Sequence, residues 1–174
     1  MRILVTGGVR SGKSVHAESL IAAGVGVTYV APGRPADGHD PDWDARVALH
    51  RSRRPAGWST AETADLAHAC RSATGPVLID CLGTWLTAVL DGEQLWDEPV
   101  RVAGAAVAAR LDPFCDALRQ VAEAVVVTNE VGLGVVPSHR SGVLFRDVLG
   151  TVNQRVASVC DEVHLVISGR VLRL

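Results

Sequence analysis

With 174 residues, a 48% hydrophobic fraction and 4% aromatics, the chain has the length and composition of one α/β domain, spanning 1–174, with a substantial core. The formal net charge of −2 excludes a bulk electrostatic pull toward nucleic acid or a membrane surface, and leaves small molecules or protein subunits as partners. No apolar run reaches the ~18 residues of a membrane span, and none of Cys70, Cys81, Cys115 and Cys160 forms a C-x-x-C pair, so buried thiols in a reducing cytoplasm are expected rather than a zinc site.

Residues 2–6 read as a buried first strand, and no signal peptide is expected because the N-terminus runs straight into it. Gly7-Gly8-Val9-Arg10-Ser11-Gly12-Lys13-Ser14 follows, and residues 13–23 read as a helix. Val27 to Ala31 form a second strand, and Pro32 to Pro41 a Pro/Gly/Asp-rich loop. Asp42 is placed to cap a helix over 43–53, and a third helix is expected at 61–72. Val77-Leu78-Ile79 is a short buried strand, followed by a helix at 83–90 and the loop Asp91-Gly92-Glu93. Pro99 suits the first turn of a long helix ending near Gln120. Ala124 to Thr128 form a β-branched strand. A helix over 139–158 and strands at 162–167 and 170–173 complete the chain. This alternation predicts a mostly parallel sheet covered on both faces.

The stretch Gly7–Ser14 fits G-x-x-x-x-G-K-[ST], and it lies between a strand and a helix, the context that gives the pattern meaning. Its glycines let backbone N–H groups turn inward on phosphate oxygens, aided by the helix N-terminus. Lys13 would reach the β- and γ-phosphates and Ser14 would hold Mg²⁺. Asp80 closes an apolar strand, where it would either position Mg²⁺ or cap the next helix. In Arg46-Val47-Ala48-Leu49-His50-Arg51-Ser52-Arg53-Arg54, helical spacing puts Arg46, His50 and Arg53 or Arg54 on one face. That face is either a solvated basic surface or a phosphate site with a neutral, nucleophilic imidazole. His16, His39, His68, His139 and His164 are weaker candidates, and no spacing among them suggests a metal. Asn129 and Glu130 end a strand, where α/β enzymes gather ligands and where turn formation is an equal reading. No Asn-Lys-x-Asp guanine-recognition stretch is present.

Several stretches together resemble one family. They are Ile3 to Gly8, Arg10 to Ser14, His16-Ala17-Glu18, Ala45-Arg46, His50, Arg54-Pro55, Trp58 and Thr60-Ala61-Glu62. The set continues with Val127 to Gly132, Gly134 to Pro137, Phe145-Arg146-Asp147, Gly150, Val152 to Arg155, Asp161 to Val163 and Ser168-Gly169. The chain thus resembles, nearly end to end, the bifunctional adenosylcobinamide kinase / adenosylcobinamide-phosphate guanylyltransferases of cobalamin biosynthesis, the CobU family. The resemblance implies a RecA-like P-loop NTPase fold, a three-layer α/β sandwich. It implies phosphorylation of adenosylcobinamide by ATP or GTP. GMP transfer from GTP to adenosylcobinamide phosphate would follow, through a GMP-histidine that falls on His50. Nucleotide contacts fall on Gly7 to Ser14 (Gly7, Gly8, Val9, Arg10, Ser11, Gly12, Lys13 and Ser14), on Ala31, Pro32 and Gly33, on Arg51, Ser52, Arg53 and Arg54, and on Glu62 and Asp80. Catalytic roles fall on His50 and Lys13, with Ser14 and Asp80 toward Mg²⁺. A homotrimer is implied as well.

Departures from the family pattern are local. Ala31-Pro32-Gly33 lacks hydroxyl side chains, so contacts there would come from backbone. Asp80 stands where some members carry Glu, and residues 91–122 supply no functional residue. Two other classes fit the phosphate loop alone: a single-activity small-molecule kinase, and a GTP-binding regulatory protein.

Overall fold

In the computed structural model, which describes residues 1–21 and 26–174, seven strands form one sheet. The strands are β1 (Arg2–Gly7), β2 (Thr28–Ala31), β3 (Ser59–Glu62), β4 (Val77–Asp80), β5 (Ala124–Val127), β6 (Glu162–Ile167) and β7 (Arg170–Arg173). Six helices connect them: α1 (Lys13–Leu20), α2 (Pro41–Ser52), α3 (Leu66–Ser72), α4 (Leu82–Gly92), α5 (Val100–Gln120) and α6 (Arg140–Ala157). The spatial order is β3-β2-β4-β5-β1-β6-β7. All neighbours pair in parallel except β6 and β7, which form an antiparallel hairpin with His164 opposite Arg173.

The central strands are apolar at successive positions because both sheet faces are covered. Leu4, Ile79 and Val126 point into a large core shared with Trp85, Phe114 and Leu149 from α4, α5 and α6. Ile3, Val5, Leu78, Val125 and Val127 point the other way, onto Ala17 of α1, with Tyr29 in the same cluster. The result is three layers: helices, sheet, helices.

Several boundaries differ from the sequence expectations. The first helix ends at Leu20, and its expected last residues, 22 and 23, lie outside the described part. Asp40, not Asp42, caps α2: its carboxylate accepts the Trp43 N–H at 3.0 Å, and Pro41 occupies the first turn, where its missing N–H costs nothing. The helix expected at 61–72 divides into the edge strand β3 and the short α3, capped by Asp65. Sequence pattern could not reveal β3, because it is exposed on most positions and lacks the apolar alternation of a half-buried strand. Helix α4 runs through Gly92, Pro99 precedes α5 as its cap residue, and Thr128 lies just past β5.

β1 lies between β5 and β6, so the chain leaves β1 for β2 on one side and reaches β6 on the other. A crevice opens outside the carboxyl ends of the strands at such a reversal. Gly7, Ala31, Glu62 and Asp80 are the last residues of their strands, and all lie at this one edge.

Candidate active site

Between β1 and α1 the chain wraps into a tight loop. Gly7 has room for nothing larger, since a Cβ there would stand 2.5 Å from the Val166 carbonyl and 2.7 Å from Ser11 Oγ. Gly12 holds φ at 95°, in the left-handed region that suits glycine. Arg10 also has positive φ, 54°. The loop is pinned from β6–β7, where the Gly169 N–H donates to the Ser11 carbonyl at 2.8 Å. Lys13 Nζ donates to the Gly8 carbonyl at 3.1 Å, folded back over the loop.

Beside this loop lies a cavity of about 580 Å³, large enough for a nucleotide-sized ligand. Val9 to Val15 form one wall. Arg46, His50, Arg53 and Arg54 form another, carried by α2 and the turn after it. Ala31, Gly33, Glu62, Asp80 and Asn129 come from strand ends or just beyond them. Trp43 closes a further side: its ring leaves no more than 3.2 Å to a Cβ at Gly33, and its Nε1–H donates to the Arg34 carbonyl at 2.9 Å.

His50 is the chemical centre of the second wall. Its Nδ1 lies 3.6 Å from Asp80 Oδ2 and 3.3 Å from an Arg53 nitrogen. The two contacts favour opposite tautomers. Asp80 favours Nδ1–H, whereas donation from Arg53 needs a bare Nδ1. Tyr29 donates its hydroxyl to the same Asp80 oxygen at 3.1 Å. Burial, with the adjacent Asp80, pushes the Tyr29 phenol far above its ordinary value, so it stays a donor. The His50 pKa falls below 6.5 chiefly because of burial, with Arg53 and Arg54 adding to the fall and Asp80 and Glu18 opposing it. Desolvation thus outweighs the like-charge repulsion of the arginines.

The arginines have distinct surroundings. Arg53 reaches Glu18 at 3.3 Å. Arg54 stacks its guanidinium 3.7 Å from the Tyr29 ring centre and donates to Thr60 Oγ1 at 3.0 Å. Both retain a buried Nε with no partner among the described residues. Arg51 instead pairs with Glu62 on the exposed side. Gly7, Gly8, Pro32, Arg51 and Ser52 do not line the cavity; Ser52 caps back onto the Leu49 carbonyl at 3.0 Å.

Sequence reading passed over Tyr29, Trp43, Cys81 and Thr84, which also line the cavity. Tyr29 sits in an apolar strand, where pattern marks it only as core, and its polar tip is visible only once Asp80 is beside it. The remaining histidines separate. His16 and His164 touch at 2.9 Å, His164 also meets Glu162 at 2.8 Å, and neither histidine lines the cavity. His68 is exposed, and His139 precedes α6 as its cap residue.

Ser14 and Asp80 both face the cavity, one hydroxyl and one carboxylate. That donor set fits Mg²⁺, which takes one or two protein oxygens and completes its shell with phosphate and water. No group of three or more His, Cys, Asp or Glu side chains is gathered for a metal among the described residues.

The family model for cobinamide kinase / cobinamide phosphate guanyltransferase (CobU) matches residues 3–174. Bifunctional adenosylcobalamin biosynthesis protein CobU of Salmonella typhimurium is 41% identical, over 97% of each chain. The protein of that name from Escherichia coli is 40% identical over the same shares. Bifunctional adenosylcobalamin biosynthesis protein CobP of Pseudomonas aeruginosa is 38% identical, over 97% of this chain and 94% of its own. In fold, the chain is similar to a type III secretion system ATPase, with a TM-score of 0.55 at 14% identity, over 94% of this chain and 50% of that one. A strand-to-helix phosphate loop in a mostly parallel sheet, together with a match running almost from end to end, shows that the chain belongs to the cobinamide kinase / cobinamide phosphate guanyltransferase family.

Proposed function

We propose that the chain first phosphorylates adenosylcobinamide with ATP or GTP, and then transfers GMP from GTP to adenosylcobinamide phosphate through a covalent adduct on His50. The observation that carries this reading is the meeting, in one cavity, of the loop Val9–Ser14 with His50 and its arginines. A plain kinase has no need of a half-buried neutral histidine facing its phosphate loop.

Phosphoryl transfer asks mainly for position and charge, which the loop N–H groups and Lys13 supply. Mg²⁺, bound through Ser14 and Asp80, would neutralise charge on the transferring phosphates. In the guanylyl step a His50 nitrogen attacks the α-phosphorus of GTP. The N–P bond forms as the bond to pyrophosphate breaks, and pyrophosphate leaves with the electron pair. With Arg53 drawn off, Asp80, 3.6 Å from Nδ1, favours the tautomer that carries the proton there, so Nε2 would carry the lone pair and Asp80 would offset the positive ring that results. Arg53, released toward bound phosphate, no longer competes for Nδ1. An oxygen of adenosylcobinamide phosphate then attacks the adduct, giving adenosylcobinamide-GDP and restoring neutral His50.

We further propose a homotrimer working in the cytoplasm. Exposed Leu133, Val135 and Val136, and Ile167 and Leu172 of the β6–β7 hairpin, supply apolar surface for subunit contact, and free thiols at all four cysteines suit a reducing compartment. No helix among the described residues is long and apolar enough to cross a membrane.

The test is incubation with Mg²⁺ and GTP labelled at the α-phosphate. An acid-labile, base-stable protein label is expected. Transfer of γ-phosphate to adenosylcobinamide with no protein label would leave a single-activity kinase, and nucleotide-dependent capture of a protein partner without transfer would indicate a regulatory GTP-binding protein.

A further inference from the structure

Helix α2 lays its side chains along the cavity in an order that matches the parts of a nucleotide. Trp43, Arg46, Val47 and His50 all line it, at the i, i+3, i+4 and i+7 positions of one helix face. His50 stands in the last turn, beside the arginines. Trp43 stands in the first turn, about 10 Å away along the axis at 1.5 Å per residue. That separation is comparable with the reach of a nucleotide from its α-phosphorus across its base. Pro35 and Val47 add apolar surface to the lining, and Asp37 and Asp40 answer the charge of Arg34 at 3.6 and 3.9 Å.

Trp43 is pinned in place. Its main-chain N–H donates to Asp40 Oδ1 at 3.0 Å, and its indole N–H donates to the Arg34 carbonyl at 2.9 Å. The ring edge next to that N–H packs on Gly33, where a Cβ would stand 3.2 Å from Trp43 Cζ2 and 3.1 Å from Thr84 Cβ. A ring held along one edge does not turn about its bond to the helix, and what it has left for the cavity is π surface. Of the two large aromatic rings in the lining, Tyr29 is already covered by the Arg54 guanidinium, 3.7 Å from its centre. No such group or ring covers Trp43 among the described residues.

We infer that Trp43 is the platform on which the base of the bound nucleoside triphosphate stacks, so that α2 holds the base at its first turn and meets the α-phosphate with His50 at its last. The inference rests on the nucleotide-binding reading above. The turn Ala31-Pro32-Gly33 has no hydroxyl to offer the nucleoside, and the indole supplies contact area beside it. Every base has a π-face, so stacking suits the use of either ATP or GTP. A ring already fixed by its own hydrogen bond loses little freedom when the base arrives.

Calorimetry with Mg²⁺ tests it on the wild type, Trp43→Ala and Trp43→Phe. One probe is the α,β-methylene analogue of GTP, which cannot give up its GMP to His50. The other is inorganic tripolyphosphate, which offers phosphates and no base. Trp43→Ala is expected to weaken the analogue about tenfold and to change tripolyphosphate affinity less than about twofold. Trp43→Phe keeps a π-face and is expected to recover most of the lost affinity. In the wild type, the analogue is expected to quench tryptophan emission, and the quench is expected to vanish in Trp43→Phe. Equal weakening of both probes in Trp43→Ala, weakening of neither, no recovery in Trp43→Phe, or a wild type without the quench overturns the Trp43 assignment while the nucleotide reading stands. The recovery in Trp43→Phe decides the matter even where tripolyphosphate binds weakly. A wild type that binds neither probe overturns both readings.

Discussion

Oδ2 of Asp80 lies 3.6 Å from His50 Nδ1 and accepts the Tyr29 hydroxyl at 3.1 Å. One carboxylate oxygen thus meets both the hydroxyl of a buried strand residue and a helix histidine that the sequence places 30 residues before Asp80. The Asp80 side chain is 7% exposed and that of His50 35%, so the pair is shielded on the Asp80 side and open on the side where a nucleotide would enter.

Replacing His50 by Asn keeps a polar side chain of similar size but removes the nucleophile. His50→Asn is expected to transfer γ-phosphate to adenosylcobinamide and to take up no label from α-labelled GTP. A labelled variant protein would place the nucleophile elsewhere.

The partners of His50 act through its ring. Asp80→Asn is expected to slow single-turnover labelling about 10- to 100-fold, the cost of losing a charge-assisted contact. Tyr29→Phe removes one hydrogen bond to Asp80 and is expected to slow it about fivefold. Rapid-quench labelling checks both; an unchanged rate in Asp80→Asn would show that the carboxylate does not set the ring's tautomer.

The phosphate loop depends on Gly7 for steric reasons. A methyl at Gly7 meets a backbone carbonyl, which cannot swing aside as a flexible side chain would. Gly7→Ala is expected to cost about 1–3 kcal/mol of stability and to abolish nucleotide binding. Urea unfolding and calorimetric titration measure the two effects; normal binding would mean the loop accommodates the methyl.

His50 also predicts the acid limb of the guanylyl step. Burial lowers its pKa below 6.5, so the neutral nucleophile persists into mildly acid solution. Labelling in a pH series is expected to fall with a midpoint under 6.5, and a midpoint above that value would contradict the burial of the ring.

His16 gives a stability counterpart. Burial first, then His164 and Arg173, lowers its pKa below 6.5. The unfolded chain therefore binds the proton more readily, and stability contributed by neutral His16 is present above pH 6.5 and lost as pH falls through its folded value. Thermal melts from pH 7.5 to 5 are expected to show a decline in Tm that is shallower in His16→Gln. An identical decline would assign the effect to other groups.

Much of this molecule is legible in one dimension. The stretch Gly7–Ser14, the apolar strands and the alternation of strand and helix depend on local geometry and on periodicity, which a sequence carries directly. So does the spacing of Arg46, His50 and Arg53, which share a helix and its following turn and which the fold brings to one cavity wall. Edge strand β3 escaped because its exposure removes the apolar signal, and Asp40 displaced Asp42 as cap because Pro41 itself begins the helix. The phosphate loop, its parallel α/β setting and the basic face around His50 are all readable from the order of residues. Folding in three dimensions brings Asp80 to that histidine and Tyr29 to Asp80, pairs Arg51 with Glu62 while Arg53 and Arg54 line the cavity, and sets the Cys81 thiol against Asn129. Those contacts join residues far apart in the chain, and they exist because parallel strands bring their carboxyl ends to one edge of a sheet.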